Sequence, residues 1–363
     1  MQFEREVVPD RIYLDHASTT PILPQAAAAM ADACRSWANP SSPHAEGRRA
    51  RARVEEARAA VSQAYGWTGE TLFTGGASES LAIVLGRAVV DRVLVSAVEH
   101  DAVLRAAPGA EVVPVRADGQ VDAERLAELL AAPGRTLVAI QWANSETGVR
   151  QPVAALAEVV HAAGALLLVD AAQMPAGADA AVAAQADFVA LSAHKRGGPP
   201  GVGALLVRDL ATLHPSGGQE RGYRAGTENL PGILGYAAAL AEPEPDHAVL
   251  RAILDDAIRR SGGEVVGEGS PRRPAIGSYR MPGVASATQL IRLDLAGFAV
   301  SAGSACASGS LKPSHVLAAM GWSEAAGREV VRVSFGRTTT EDEVVAFIAA
   351  WRAIARETRR FVA

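Results

Sequence analysis

Between about residues 70 and 210, short apolar runs alternate with Ala/Leu/Glu/Arg stretches of helical period, and this alternation constrains the fold more than any other feature. Strands are expected at residues 71–74, 92–96, 111–115, 136–141, 165–170, 188–192 and 203–207. Helical patterns at 78–88, 122–131 and 153–163 lie between the earlier ones. Runs such as Ala165-Leu166-Leu167-Leu168-Val169-Asp170 are apolar on both faces until their last residue. A strand of that kind is buried on both sides of a largely parallel sheet. The expected fold class is therefore α/β, a mainly parallel central sheet flanked by helices. In such sheets ligands bind beyond the carboxyl ends of the strands, so the residues just after each strand carry the functional argument.

A long Ala/Arg/Glu helix is expected at 44–65. Near Glu242 the pattern changes, with Pro243 and Pro245 breaking the chain. Beyond it come helices at 248–260 and 286–296, a strand at 330–335 and a closing helix from Glu341, which read as a smaller C-terminal α+β domain. The expected division is a large domain over 16–242 and a small one formed by 1–15 with 243–363.

Composition excludes several classes. A 49% hydrophobic, 21% charged chain of net charge −5 is globular, and it has no basic block of the kind that binds nucleic acid or a membrane surface. Its longest apolar runs are far short of the ~20 residues of a membrane span. The N-terminal residues offer no apolar core for a signal peptide, so a cytoplasmic location is expected. Two cysteines, Cys34 and Cys306, are too few for a disulfide framework or a cysteine metal site, and no metal is expected.

Of 35 basic residues only Lys195 and Lys312 are lysine. The chain uses arginine wherever it needs a generic positive charge. A retained lysine is then a candidate for chemistry that guanidinium cannot do, because an amine can lose its proton and become a nucleophile. The surroundings single out Lys195. It follows the strand at 188–192 in the loop Ser192-Ala193-His194-Lys195-Arg196-Gly197-Gly198. Asp170 ends another apolar strand, a costly place for an acid without a partner. Thr74-Gly75-Gly76-Ala77-Ser78 turns from a strand into a helix whose first N–H groups suit an anion, although a plain capped turn fits as well. His100 and Asn144 also follow strands, and either can serve a ligand or merely hold a turn. An amine for an aldehyde, an acid for a pyridine nitrogen and an anion cradle are the protein groups that pyridoxal 5'-phosphate (PLP) requires.

The chain resembles the cysteine desulfurases, fold-type I PLP enzymes of the class V aminotransferase superfamily. The resemblance runs from Tyr13-Leu14-Asp15-His16-Ala17-Ser18-Thr19-Thr20 to Ser334-Phe335-Gly336-Arg337. Along it lie Asn39-Pro40-Ser41-Ser42-Pro43-His44, Glu99-His100, Asp170-Ala171-Ala172-Gln173, Ser192-Ala193-His194-Lys195, Arg224-Ala225-Gly226-Thr227 and Gly303-Ser304-Ala305-Cys306-Ala307-Ser308. It implies that Lys195 holds PLP, Asp170 pairs with the pyridine nitrogen, Gln173 contacts the phenolate oxygen and His100 stacks on the ring. Ala77, Ser78, Ser192 and His194 would bind the phosphate, with Thr227 reaching in from the partner subunit of a homodimer. Asn144 and Arg332 would hold the carboxylate of L-cysteine.

The resemblance further implies that sulfur passes from L-cysteine to Cys306 as a persulfide, releasing L-alanine, with Lys195 as general base at Cα and His100 moving a proton. The small-residue neighbourhood of Cys306 suits an accessible thiol, whereas Cys34, in the helical run Met30-Ala31-Asp32-Ala33-Cys34, suits a structural one. The loop at 304–316 is of the longer type, like the branch serving iron–sulfur cluster assembly and tRNA thiolation. An acceptor protein, a scaffold or a tRNA-thiolation enzyme, is the expected partner, and the C-terminal extension with which some relatives dock a scaffold is expected to be missing. The competing readings are a selenocysteine lyase, another class V aminotransferase, or a non-catalytic scaffold. The thiol at 306 argues against a simple aminotransferase, and intact Lys195, Asp170, Cys306 and Arg332 argue against a scaffold.

Overall fold

The structure, a computed structural model, describes residues 11–303 and 313–362, with side chains as far as residue 357. Cys306 and Lys312 lie outside the described residues. The strands in chain order are β1 Ile12–Tyr13, β2 Glu70–Thr74, β3 Arg92–Ser96, β4 Glu111–Val113, β5 Thr136–Gln141 and β6 Leu166–Asp170. They continue with β7 Phe188–Ser192, β8 Gly203–Val207, β9 Glu264–Val265, β10 Ile276–Arg280, β11 Phe298–Ala299 and β12 Val330–Ser334. Two compact units are formed: Thr19–Ser145 with Val149–Glu244, and Met1–Ser18 with Glu146–Gly148 and Pro245–Ala363.

The larger unit is an α/β fold around a seven-stranded sheet of order β2-β8-β7-β6-β5-β3-β4. β3 through β7 run parallel. β8 is antiparallel to both β7 and β2, so β2 points the same way as the parallel strands. Alternate side chains divide between two cores, as the pleat requires. Leu94, Val138, Leu167 and Val189 pack on one face, with helices Ala45–Ala64, Val153–Ala162 and Leu230–Leu240. Val95, Leu137, Leu168 and Phe188 pack on the other, with helix Ala77–Arg87. The apolar strands of the sequence are thus buried from both sides.

Two expectations are corrected. The strand expected to reach residue 115 stops at Val113, because Pro114 has no N–H to donate; Val115 makes only an isolated bridge to Val121. Cys34, expected to be structural, is exposed on helix Pro24–Arg35, where Ala26 and Ala33 supply the buried face instead.

The smaller unit holds an antiparallel sheet of order β12-β10-β9 and the parallel pair β1–β11. Its core gathers Leu254, Tyr279, Leu293, Val331, Phe347 and Trp351. Phe298 meets Phe347 edge-on with ring centroids 5.6 Å apart, an arrangement favoured by the aromatic quadrupole.

Candidate active site

The strand directions gather the predicted residues. Because β2, β7, β6, β5 and β3 all run the same way, their carboxyl ends lie along one edge of the sheet. In that order they deliver the Gly75–Ser78 turn, Ser192 with Lys195, Asp170, Asn144 and His100.

At the end of β2 the chain turns through Gly76, whose φ of +145° only glycine adopts without strain, into helix Ala77–Arg87. That helix start carries no side-chain cap, so its N–H groups are donors for an external anion. Glu79 accepts from the Gly75 N–H and is ion-paired with Arg224 Nε at 3.0 Å, while Thr74 Oγ1 lies 2.9 Å from Ser80 Oγ. The cradle depends on a second glycine. A Cβ on Gly203 in β8 would lie 2.7 Å from Gly76 Cα and 2.3 Å from the Leu191 carbonyl oxygen, so only a hydrogen lets the turn lie against the sheet.

Lys195 is half-buried in a tight turn in which the N–H groups of Arg196 and Gly198 both donate to the Ala193 carbonyl, at 2.8 and 3.0 Å. The turn is fixed further by Arg196, only 2% exposed, whose Nη1 donates to Glu244 at 2.6 Å. The Thr20 N–H donates to the His194 carbonyl at 2.9 Å, and His194 Nδ1 lies 3.1 Å from Thr19 Oγ1. Burial first, then the positive charges of Lys195 and Arg196, press the His194 pKa down to about 4. The ring is neutral at pH 7, so toward an anion it could act only as a hydrogen-bonding group and not as a cation.

Asp170 closes β6 at 7% exposure, and its Oδ1 accepts the Ala172 N–H at 2.9 Å. His100 caps helix Asp101–Ala106: its Nδ1 accepts the Ala102 N–H at 3.1 Å, which leaves the proton of the neutral ring on Nε2. Burial lowers the His100 pKa; the Asp170 charge works against that and the Lys195 charge adds to it, so all three groups share one electrostatic neighbourhood. Asn144 is buried, with Nδ2 donating to the Val98 carbonyl at 3.1 Å. Gln173, also buried, follows Asp170 across the turn closed by the Met174 N–H to Ala171 carbonyl bond of 2.9 Å. Thr227 is exposed, one residue before the buried Glu228. In the smaller unit, Arg332 lies mid-strand in β12 with its guanidinium 2.7 Å from Asp15.

Sequence reasoning passed over Glu99. It is fully buried, and its Oε1 accepts the N–H of Gln141, the residue paired in register with Asp170. Burial pushes its pKa well up, and the Asp170 charge pushes the same way. The available signal was an acid three residues beyond the apolar strand β3, weaker than that of Asp170, which is the last residue of its strand.

These groups fit PLP: a reachable amine, a buried acid, a neutral imidazole beside them, and an uncapped helix start behind two glycines. The model of the class-V aminotransferases matches residues 12–347. A cysteine desulfurase of Cereibacter sphaeroides is 37% identical over 362 residues, covering 92% of this chain and 93% of that protein. An IscS-like cysteine desulfurase of Mycobacterium tuberculosis is 36% identical, covering 96% and 97%. The X-ray structure of a NifS-like protein from Rickettsia africae superposes with a TM-score of 0.84 at 29% identity, covering 95% of this chain and 99% of that one. A lysine set among a buried acid, a neutral histidine and an anion cradle is what this likeness demands, and the chain belongs to the class-V aminotransferase family as a PLP-dependent cysteine desulfurase.

Proposed function

We propose that the chain supplies sulfur from L-cysteine to an acceptor protein for iron–sulfur cluster assembly or tRNA thiolation, working as a cytoplasmic homodimer with Cys306 as the sulfur carrier. The observation that carries the reading is the convergence of Lys195, Asp170 and His100 on one sheet edge beside the Gly76 cradle.

PLP, when bound, supplies the electron sink that makes Cα acidic and weakens the Cβ–S bond of the substrate. The chain's own groups do the rest. Ala77 and Ser78 would offer N–H donors to the phosphate, with Ser192, His194 and the partner subunit's Thr227 completing the cradle. Asp170 would hold the pyridine nitrogen protonated, Gln173 would donate to the phenolate oxygen, and His100 would lie against the ring. Asn144 and Arg332 hold the substrate carboxylate. Lys195, as a free amine, would take the proton from Cα and give it back to Cα once sulfur has left, so that alanine regains the hydrogen there. The Cys306 thiolate attacks the substrate sulfur: an S–S bond forms as Cβ–S breaks, the bonding pair stays with carbon, and a proton completes alanine. That proton is the one the substrate thiol loses, and His100 would relay it to carbon. No outside oxidant is needed, since sulfur moves as a neutral atom between two thiols.

The test is Cys306→Ala. It keeps the cofactor colour but releases neither sulfide nor alanine from L-cysteine in the presence of a thiol reductant, while Lys195→Ala loses the covalent cofactor link by mass spectrometry after borohydride reduction. Full sulfide release by Cys306→Ala would refute the assigned carrier, and faster turnover of L-selenocysteine by the same variant would favour a selenocysteine lyase.

A further inference from the structure

Arg332 is buried, with its backbone paired and one end of its guanidinium hydrogen-bonded. Its side chain is 5% exposed, and its backbone pairs in both directions with Ser301: the Arg332 N–H donates to the Ser301 carbonyl at 2.6 Å, and the Ser301 N–H donates to the Arg332 carbonyl at 3.3 Å. Pinning the backbone does not aim the side chain, because several rotatable bonds separate Cα from the guanidinium. A hydrogen bond from Nη2 to Asp15 Oδ1 at 2.7 Å helps to aim it. Asp15 is itself fixed. It bridges Ser334 in parallel, just beyond β1. The Ser334 N–H donates to the Leu14 carbonyl at 2.8 Å, and Ser334 Oγ accepts the Ala17 N–H at 2.9 Å. The Ser18 N–H then closes a turn onto the Asp15 carbonyl at 3.1 Å. Ser334 lies two residues after Arg332 on β12, so the same strand face carries the arginine and the hydroxyl that locks the turn presenting its acid.

From this arrangement we propose that Asp15 is a positioning residue for substrate binding: its carboxylate holds one terminal nitrogen of Arg332 so that the guanidinium fork is already oriented when the amino-acid carboxylate arrives. The inference rests on the reading of Arg332 as the substrate-carboxylate residue. An arginine–carboxylate contact is strong when two parallel N–H···O bonds form in one plane, and a fork that must first be oriented loses part of that gain. A buried guanidinium also needs a counter-charge before substrate arrives, and Asp15 supplies it. Asp15 acts through binding, not through the proton transfers, so its loss should appear in KM and not in kcat.

The experiment uses the holoenzyme with L-cysteine and compares Asp15→Ala, Asp15→Ser, Asp15→Asn and Arg332→Ala. Asp15→Ala and Asp15→Ser, whose hydroxyl is too short to reach Nη2, should each raise KM about tenfold or more while kcat stays within about threefold. Asp15→Asn keeps an oxygen at the same distance but not the counter-charge, and should recover part of the loss. The serine variant, which suits a turn, provides the measurement should the alanine variant fail to fold. A wild-type KM in Asp15→Ser, with a raised KM in Arg332→Ala, would overturn the positioning role and leave the arginine's role standing. An unchanged KM in Arg332→Ala would overturn both.

Discussion

Replacing Arg58 with alanine should destabilise the larger unit by about 3–5 kcal/mol, the cost of removing one partner of a buried ion pair. The geometry leaves Glu220 little alternative. Arg58 donates from Nη1 to Glu220 Oε2 at 2.6 Å and from Nη2 to Oε1 at 3.2 Å, and the two side chains are 7% and 0% exposed. Glu220 Oε2 also accepts the Phe73 N–H at 2.9 Å. Phe73 belongs to β2, an edge strand paired only with β8, so this bond occupies a donor on the open side of the sheet. Arg58 adds a 2.5 Å bond to the Thr71 carbonyl and lies over the Phe73 ring with 5.0 Å to its centroid. The same glutamate anchors a strained loop, since Glu220 and Arg221 take φ of +45° and +58°, which side-chain-bearing residues seldom do. With Arg58 gone, a buried carboxylate keeps one backbone donor and no cation. For a unit of this size the loss corresponds to a fall in melting temperature of roughly 6–20 °C. Urea unfolding should show a lower midpoint at unchanged slope. Arg58→Met with Glu220→Gln, which removes both charges and keeps an oxygen for the Phe73 N–H, should cost less than half as much as Arg58→Ala. A single-variant cost below about 1 kcal/mol, or a double variant as costly as the sum of the singles, would refute the argument.

His16 should make the protein acid-sensitive. Burial, the largest of several influences, brings its pKa down from 6.5 to about 4, so the unfolded chain binds a proton that the folded ring refuses. Stability is therefore complete above pH 6.5 and falls as pH drops towards 4, by about 2 kcal/mol at pH 5 and about 3 kcal/mol in full. His16→Gln should flatten that limb between pH 7 and 5 in urea titrations; an unchanged slope would exclude His16 as its source. Gly203→Ala places a Cβ against two backbone atoms, Leu191 O and Gly76 Cα, that cannot yield cheaply. It should cost about 1–3 kcal/mol or more and lower the PLP retained per chain, whereas Gly86→Ala, exposed in helix Ala77–Arg87 with nothing near its Cβ, should gain up to about 1 kcal/mol. Equal effects of the two, read by cofactor absorbance and thermal melts, would contradict the close-approach account.

The parallel sheet was legible because burial on both faces leaves a one-dimensional trace: four or five apolar residues in a row, ended by Asp170 or Ser192. The residues after those strands were legible for the same reason, since topology sends parallel strand ends to one edge. What escaped the sequence depends on contacts made far along the chain. Asp15 meets Arg332 across 317 positions, and no local pattern marks it as that arginine's partner. The antiparallel β8 reads as apolar as its parallel neighbours, so its direction is set by pairing and not by composition. Cys34 misled because a helical stretch of small apolar residues does not say which stripe faces inward. In Pro24–Arg35 Ala26 and Ala33 take that stripe, seven residues apart and thus on one face, and the adjacent Cys34 turns to solvent.

Glu99 shows why the same residue type can mean opposite things at one sheet edge. Two carboxyl groups end neighbouring parts of the sheet, Glu99 after β3 and Asp170 on β6, with Gln141 of β5 between them through its N–H to Glu99 and its register with Asp170. Glu99 is completely enclosed, and both burial and the Asp170 charge favour its protonated form. Burial thus works against charge on Glu99, as it does on His100 and His194, whose pKa values it lowers. A site assembled this way carries four titratable strand-end groups beside Lys195, and burial disfavours the charged form of three of them, Glu99, His100 and His194. Under the proposed chemistry that balance would matter, because a fixed charge near the ring would favour one protonation state of the substrate over the next.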